Sequence, residues 1–166
     1  LLAVFNGEAF LAEQIESIQA QSHSRWTLLI SDDGSSDGSM AIANAYAERD
    51  ERIRVLAGGR AWGSAERHFR YLLGRSSAEY VMFCDQDDVW LPGKIEVTLD
   101  AVAGAEYPQG RDRIPVLGFT DVAVVDEDLR VLDPSFMHYS RIDPYNLSLQ
   151  RLLAQNSVNG CTALMN

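Results

Sequence analysis

The sequence predicts a three-layer α/β domain on a mostly parallel sheet, and two features indicate it. Short apolar runs of about five residues alternate with segments whose apolar residues recur at helical spacing. Strands and helices that alternate in this way are typical of a parallel sheet covered by helices on both faces. The chain has 166 residues, 46% of them hydrophobic, which is enough for one sizeable core. We therefore expect a single domain over residues 1–166.

The first half of the chain contains three continuous apolar runs, typical of strands buried on both faces. Between them, residues such as Leu11, Ile15 and Ile18 recur at the spacing of one helix face. In chain order, the predicted strands and helices of this half are strand 1–5, helix 11–19, strand 26–30, helix 36–49, strand 53–56, helix 65–73 and strand 80–84.

The second half begins with a helix, because Pro92 suits a first helical turn and Ile95, Leu99 and Val102 continue one face. Shorter elements follow a turn-rich stretch. They are strands at 116–119 and 122–125, a hairpin turn at 126–128, a strand near residue 131 and a last helix around 149–153.

Charge and cysteine content limit the function classes. Lys and Arg total 14 against 24 Asp and Glu, so the net charge of −10 repels the phosphates of nucleic acids. No apolar run approaches the roughly 18 residues of a membrane span, and no secretory signal is visible. Cys84 and Cys161 lack metal-ligand spacing, which favours reduced thiols and a cytoplasmic location. Because the sequence opens on Leu1, we expect a trimmed chain.

Two acidic clusters directly follow apolar strands, Asp32-Asp33…Asp37 and Asp85…Asp87-Asp88. In open parallel sheets, ligands bind outside the carboxyl ends of the strands, so both clusters are expected at one edge. Converging carboxylates need a cation, and Mg²⁺ or Mn²⁺ commonly bridges such acids to substrate phosphates. A phosphorylated ligand is therefore expected. The simpler alternative is solvated loop acids, since most surface acids have no specific partner.

Two other interpretations of the acids remain open. Asp33 to Gly38 has the acid and glycine pattern of a calcium loop, but its twelfth position is Asn44 rather than Glu. Asp85 after a strand also resembles the nucleophile of a Mg²⁺-dependent aspartyl phosphatase. A glycine-rich dinucleotide fingerprint and a phosphate-loop lysine are both missing from the sequence.

Taken together, four ordered segments resemble the family 2 glycosyltransferases of the GT-A fold, a Rossmann-like fold that binds nucleotide-diphospho-sugars. The Asp-Gln-Asp-Asp-x-Trp variant is most similar to the rhamnosyltransferase-like branch. The matching segments are Ala3-Val4-Phe5-Asn6-Gly7-Glu8, Ser17-Ile18-Gln19-Ala20-Gln21, Asp32-Asp33-Gly34-Ser35-Ser36-Asp37-Gly38 and Phe83-Cys84-Asp85-Gln86-Asp87-Asp88-Val89-Trp90-Leu91-Pro92-Gly93-Lys94-Ile95.

The resemblance implies transfer of a sugar from a nucleotide diphosphate donor to an acceptor hydroxyl, with inversion. In that family, Ala3, Phe5 and Glu8 would border the nucleotide and Asp33 would bind the base. Asp85 and Asp87 would form the DxD element that holds Mn²⁺ or Mg²⁺, with Asp87 the more direct ligand. The acceptor would be a saccharide or lipid-linked saccharide in cell-surface polysaccharide synthesis, which leaves peripheral contact with the inner membrane surface open.

The resemblance also suggests lesser roles. Gln86 and Asp88 would line the metal loop, with Asp88 towards the acceptor. Arg67 could approach the diphosphate, although a solvated helix Arg is an equal alternative. Trp90 would form a sugar-stacking wall or, alternatively, a core aromatic at the start of a helix. His68 replaces the usual Asn.

A general base for inversion is missing from the motifs. In the resembled family it follows a Gly-Cys-Thr strand, matched here by Gly160-Cys161-Thr162, so we expect it beyond Asn166. Asp121 is a weak substitute, because strand-end acids also cap backbone. We therefore expect a donor-binding part, truncated at its carboxyl end, that binds metal and nucleotide but transfers poorly. A nucleotide-sugar-binding module without catalysis is the alternative.

Overall fold

The computed structural model describes residues 1–57, 61–108, 112–145, 148, 150 and 156–166. A 3₁₀ turn at Gly160–Thr162 precedes the last strand. The helices and strands are β1 (Leu2–Val4), α1 (Leu11–Gln19), β2 (Leu28–Asp32), α2 (Ser39–Ala47), β3 (Ile53–Val55), α3 (Ala65–Leu73), β4 (Val81–Met82), α4 (Lys94–Ala105), β5 (Leu117–Gly118), β6 (Val124–Val125), β7 (Val131–Asp133), α5 (Phe136–Tyr139) and β8 (Leu164–Met165).

The strands form one mixed sheet and a separate hairpin. β2 pairs in parallel with β1 and β3, and β8 pairs antiparallel with β4 and β5. A parallel bridge between Leu2 and Cys84 joins the two sets, giving the order β3-β2-β1-β4-β8-β5. In the described part of the chain β8 is the one reversed strand of this sheet, while β6 and β7 form the hairpin. The predicted α/β class with a mostly parallel sheet is confirmed.

Helices cover both faces of the sheet. On one face α1, α2 and the start of α4 share a core with β1 and β2, and Cys84 belongs to this core. Neighbouring residues of an extended strand point to opposite faces, so Phe83 points away from it. Its ring meets that of Phe69 on α3 edge-on, with centroids 5.3 Å apart. Helix α3 therefore forms the third layer.

Several predicted boundaries shift for local reasons. Helix α2 begins at Ser39 rather than residue 36, because the backbone N–H groups of Ser35 and Ser36 donate to the side chains of Asp32 and Asn6. β2 extends to Asp32 because the β1 register pairs it with Val4. The helix predicted at 149–153 lies outside the described residues. Among those described, no helix is both long and apolar enough to span a membrane.

One side chain fastens the end of β1 to the loop after β4. The Phe5 N–H donates to Gln86 Oε1 at 2.8 Å, and Gln86 Nε2 donates to the Phe5 carbonyl at 2.9 Å. Gly7 leaves room for this amide, since a Cβ on Gly7 would lie 2.6 Å from Gln86 Cδ. This pair of bonds, here called the Gln86 clamp, sets the position of the polar loop that follows β4.

Gly7→Ala is expected to destabilise the fold by about 1–3 kcal/mol, because the new methyl group must displace the Gln86 amide. The double variant Gly7→Ala/Gln86→Ala should lose less free energy of unfolding than Gly7→Ala and Gln86→Ala lose in total. The reason is that the amide displaced by the new methyl group is absent from the double variant. Urea unfolding of the four proteins measures this coupling. Gly104→Ala, in helix α4 with open space around its Cβ, is the control and should be neutral or stabilising. Strictly additive losses would contradict the steric account.

Asp50 provides a pH-dependent contribution to stability. Its carboxylate accepts hydrogen bonds from the Arg52 guanidinium and from Gln19, which hold the pKa of Asp50 below its usual range. Such a contribution is complete above the unfolded-state pKa, near 3.9, and is lost as the pH falls towards the folded-state pKa. Asp50→Asn should therefore lower the Tm at pH 7, and the difference from wild type should shrink below about pH 4. A difference that stays constant between pH 7 and pH 3 would exclude this role.

Candidate active site

The carboxyl edge of the sheet brings the two predicted acidic loops together. Asp33 follows β2, Asp85 follows β4, and β1 lies between these strands. The Asp33 N–H donates to the Val4 carbonyl at 2.8 Å, so this loop begins against the end of β1. Neighbouring strands are about 4.8 Å apart, which separates the two loops by about 10 Å. A ligand of modest size can reach both.

Hydrogen bonds within the loop after β2, and from the segment before α3, hold this loop in place. The Asp32 carboxylate accepts from the Gly34 and Ser35 N–H groups, each at 3.1 Å. Asp33 Oδ1 accepts from the backbone N–H groups of Trp62 and Gly63. Asp33 is thus held by two backbone groups at the start of the α3 layer.

An aromatic stack stands beside Asp33. The Trp62 ring stacks on His68, with centroids 5.9 Å apart and an interplanar angle of 14°, and on Tyr71 at 4.5 Å. Burial lowers the pKa of His68, and the charges of Asp33 and Asp32 offset only part of this effect. A buried neutral imidazole therefore occupies the position where the resembled family has Asn.

The loop after β4 concentrates negative charge. Carboxylate oxygens of Asp85 and Asp88 and the Sγ of Cys161 lie within 4.8 Å of one another. Burial raises the pKa of Asp85, and the charges of Asp88 and Asp87 raise it further. Burial also raises the pKa of Asp88; Asp87 adds to this shift, while Cys161 and Lys94 oppose it. A bound cation would relieve this repulsion.

Sequence analysis assigns no role to Cys161 or Lys94, which the fold places beside these acids. Cys161 is 6% exposed, and burial together with the charge of Asp88 raises the pKa of its thiol. Lys94 Nζ donates to Thr120 Oγ1 at 3.3 Å and lies 5.1 Å from the centre of the Trp90 ring. Burial lowers the pKa of Lys94, and nearby Asp88 counteracts the shift. Lys94 belongs to the segment from Phe83 to Ile95, and Cys161 belongs to the Gly-Cys-Thr motif. The sequence separation of these motifs does not predict that β8 pairs with β4, which brings the two residues together.

The acids, rather than the thiol, suit the expected cation. Mg²⁺ and Mn²⁺ prefer oxygen ligands, which Asp85 and Asp88 supply side by side. The sulfur of Cys161 is a soft ligand, which suits zinc or copper better than these hard cations. Asp87 is exposed in the same loop and is not in the three-residue cluster. The donor set therefore fits Mg²⁺ or Mn²⁺, with Asp87 available from the solvent side.

The remaining residues expected around the nucleotide lie along the same edge. Ala3 lies in β1 opposite Ser31, and Phe5 is exposed where β1 meets the Gln86 clamp. The Glu8 carboxylate accepts from the Gly38 N–H at 2.8 Å, which ties it to the start of α2. Arg67 is exposed on α3. Ala3, Phe5 and Glu8 thus lie in and just after β1, whereas Arg67 has the exposure of a solvated helix residue.

Trp90 and Asp121 have structural contacts that favour the simpler alternative for each. Trp90 is 7% exposed and packs in the core, with its backbone N–H donating to Ser17 Oγ at 3.0 Å. Asp121 accepts from the Val122 and Met137 N–H groups and from the Ser135 hydroxyl. Burial would raise the pKa of Asp121, but these hydrogen bonds outweigh it and lower the pKa. Asp121 is thus a backbone anchor and a weak proton acceptor.

The chain is similar in sequence to bacterial glycosyltransferases. TuaG of Bacillus subtilis, named for teichuronic acid biosynthesis, is 29% identical over 161 residues, which are 97% of this chain and 58% of that protein. RfbG of Shigella flexneri, named as a dTDP-rhamnosyl transferase, is 30% identical over 128 residues, or 68% of this chain and 44% of that protein. The chain therefore spans about half the length of these relatives.

Structure comparison and family assignment agree on the fold. The mannosyltransferase PcManGT of Pyrobaculum calidifontis, solved with GDP-Man and Mn²⁺, superposes with a TM-score of 0.58 at 16% identity, covering 63% of this chain and 32% of that one. At this identity the likeness shows the fold alone. The family model described as glycosyl transferase family 2 matches residues 1–110, which is more than half of the chain. The chain belongs to the family 2 glycosyl transferases.

Proposed function

We propose that residues 1–166 form the donor-binding part of a glycosyltransferase that moves a sugar, with inversion, from a nucleotide diphosphate sugar to an acceptor hydroxyl. The observation that carries this proposal is the pair of acidic loops on either side of β1, one ending at Asp33 and the other holding Asp85 and Asp88. Family membership and the names of the relatives support it. The same edge would also serve a nucleotide-sugar-binding module without catalysis, which remains the alternative.

In the proposed reaction, negative charge develops on the departing nucleoside diphosphate. Asp85, Asp87 and Asp88 would hold Mn²⁺ or Mg²⁺, which supplies a Lewis acid for that charge when bound. Asp33 would accept a hydrogen bond from a ring N–H of the base, a preference that suits uracil or thymine. The Gln86 clamp would keep the metal loop in register with the base-binding loop, so that donor and acceptor meet in a fixed orientation.

Donor and acceptor are proposed only as classes. The name of RfbG supports a dTDP-linked rhamnose as one candidate donor, and the name of TuaG supports a role in surface polysaccharide synthesis. We keep a saccharide or lipid-linked saccharide as the acceptor. Asp121 is not assigned as the general base, because its hydrogen bonds already lower its pKa. The aspartyl phosphatase alternative is disfavoured, because the chain belongs to the family 2 glycosyl transferases.

Replacing one acid in each acidic loop should separate cation binding from base recognition. Asp87→Asn should reduce the Mn²⁺-dependent gain in UDP affinity, because one of the three carboxylates proposed to hold the ion is lost. Asp33→Asn should retain that gain but reduce discrimination between UDP and GDP, since the amide presents a different hydrogen-bonding face. Isothermal titration calorimetry with UDP, dTDP and GDP, each with and without Mn²⁺, measures both effects.

Asp100→Asn is the matched control, since Asp100 is exposed on α4, away from the acidic loops. It should bind all three nucleotides as the wild type does. If wild type, Asp87→Asn and Asp33→Asn bind the nucleotides with indistinguishable affinities, both acidic clusters are solvated surface loops. That result would overturn the proposed function.

A further inference from the structure

A cavity of about 760 Å³ lies between β2 and β4, at the amino ends of these strands and opposite the acidic loops. We call it the β2–β4 cavity. Residues 26–28, at the start of β2, line one wall, and residues 80–82, at the start of β4, line the other. Leu1 lies at the end of the cavity nearest β1. The cavity therefore continues the line of β1, which runs between these two strands.

The β2–β4 cavity has the width of one strand. Leu2 of β1 lies opposite Ile30 of β2 on one side and bridges to Cys84 on the other, both in parallel. Neighbouring strands are about 4.8 Å apart, so β2 and β4 stand about 10 Å apart with β1 between them. In the same register, the next three positions beyond Leu1 lie opposite residues 26–28 and 80–82. These are the residues that line the cavity walls.

Backbone groups on both walls face the cavity. The Leu28 N–H donates to the Arg52 carbonyl of the β3 side at 2.9 Å, so the N–H of the next residue, Leu29, faces the opposite way, towards the line of β1. The Met82 carbonyl accepts from the Leu1 amino group, so the Met82 N–H also faces this line. In a parallel ladder, the acceptors of both N–H groups lie beyond Leu1. Such strand edges are templates for a further strand.

The amino group of Leu1 occupies a place that suits a peptide N–H. It donates to the Met82 carbonyl at 2.7 Å, and burial lowers its pKa, while Cys84 opposes the shift. Burying a charged amino group is costly, because one hydrogen bond does not replace its hydration. A peptide N–H at the same place would donate the same bond without the charge. This end of the cavity therefore favours a continuing backbone.

The layers on either side of the β2–β4 cavity determine which side chains fit. Leu2 points into the core shared with α1 and α4, and Ile18 and Ile95 of these helices line the cavity. Side chains alternate along a strand, so the first and third positions beyond Leu1 face this core. The second position faces residues 75–78, which follow α3 and include two serines. The cavity thus suits apolar side chains at the first and third positions and a small polar one at the second.

We propose that the β2–β4 cavity binds an extended apolar segment as a parallel strand in line with β1. The segment continues the pairing that β1 already makes with β2 and β4, and it adds about three residues to the strand. Because both acidic loops are positioned against β1, the segment also secures the strand on which the candidate site depends. The proposal uses no residue of the acidic loops and stands independently of the proposed function.

Two amino-terminal extensions of equal composition test the proposal. Thr-Ile-Ser-Val, joined directly to Leu1, places Val and Ile at the first and third positions, facing α1 and α4. Ile-Thr-Val-Ser contains the same residues, but the shift by one position turns its apolar side chains to the other face. The first extension should raise the Tm by about 4–8 °C, and the second by less than half as much. Equal Tm values for the two extended proteins would overturn the proposal.

Amide hydrogen exchange of the ¹⁵N-labelled proteins shows whether the extension pairs as a strand. With Thr-Ile-Ser-Val, the Leu29 and Met82 amides should exchange about tenfold more slowly than in the unextended chain. The Val124 amide, in the β6–β7 hairpin, is the control and should exchange as before. A higher Tm without added protection of Leu29 and Met82 would overturn strand pairing.

Acetylation of the Leu1 amino group separates the charge from the strand. It removes the buried charge but adds no backbone beyond Leu1, so it should raise the Tm by less than Thr-Ile-Ser-Val does and leave the Leu29 amide unprotected. If the acetylated chain is as stable as the chain with this extension, relief of the charge accounts for the whole gain and the proposal is wrong.

A second copy of the chain is the competing occupant of the β2–β4 cavity. The proposal predicts the same oligomeric state, measured by light scattering, with and without Thr-Ile-Ser-Val. A dimer of the unextended chain that dissociates when the extension is present would overturn the proposal, because the cavity would then hold a segment of the partner.

Discussion

The Gln86 clamp holds two strand ends together at the point where both become polar loops. Because its amide both donates to and accepts from the backbone of Phe5, it fixes the loop after β4 relative to β1 in two directions. The loop after β2 is fixed to the same strand by the Asp33–Val4 backbone bond. β1 is therefore the common reference for both acidic loops. The contacts with β1 thus determine the position of each acidic loop relative to the other.

That constraint has an electrostatic consequence. Burial raises the pKa of Asp85 and of Asp88, and the charge of Asp87 raises both further, which is unfavourable in the unliganded protein. Lys94 offsets part of the repulsion and is itself held by Thr120 across the edge. The arrangement resembles many binding sites in which repulsion between fixed like charges is relieved by the ligand.

Much of this edge could be predicted from the sequence, because apolar runs that end in acids define both strands and loops. The first three strands, four main helices and the positions of Asp33 and Asp85 to Asp88 follow from that pattern. The contributions of Cys161 and Lys94 could not, because they depend on β8 returning antiparallel between β4 and β5, a long-range pairing that local periodicity does not encode. For Trp90, the sequence allows two roles, because an aromatic residue beside a polar loop can form the wall of a ligand site or part of the core. Its burial in the structure decides for the core.

Paramagnetic broadening by Mn²⁺ in amide spectra of the ¹⁵N-labelled chain tests the central claim most directly, because it locates the ion without assuming a reaction. Broadening should be strongest at the amides of Asp85 to Asp88 and of Cys161, and UDP added afterwards should perturb Asp33, Trp62 and Gly63 while strengthening Mn²⁺ binding. Broadening centred on other acids, such as Asp126 and Asp128, with UDP leaving the Asp33 loop unaffected, would contradict the account.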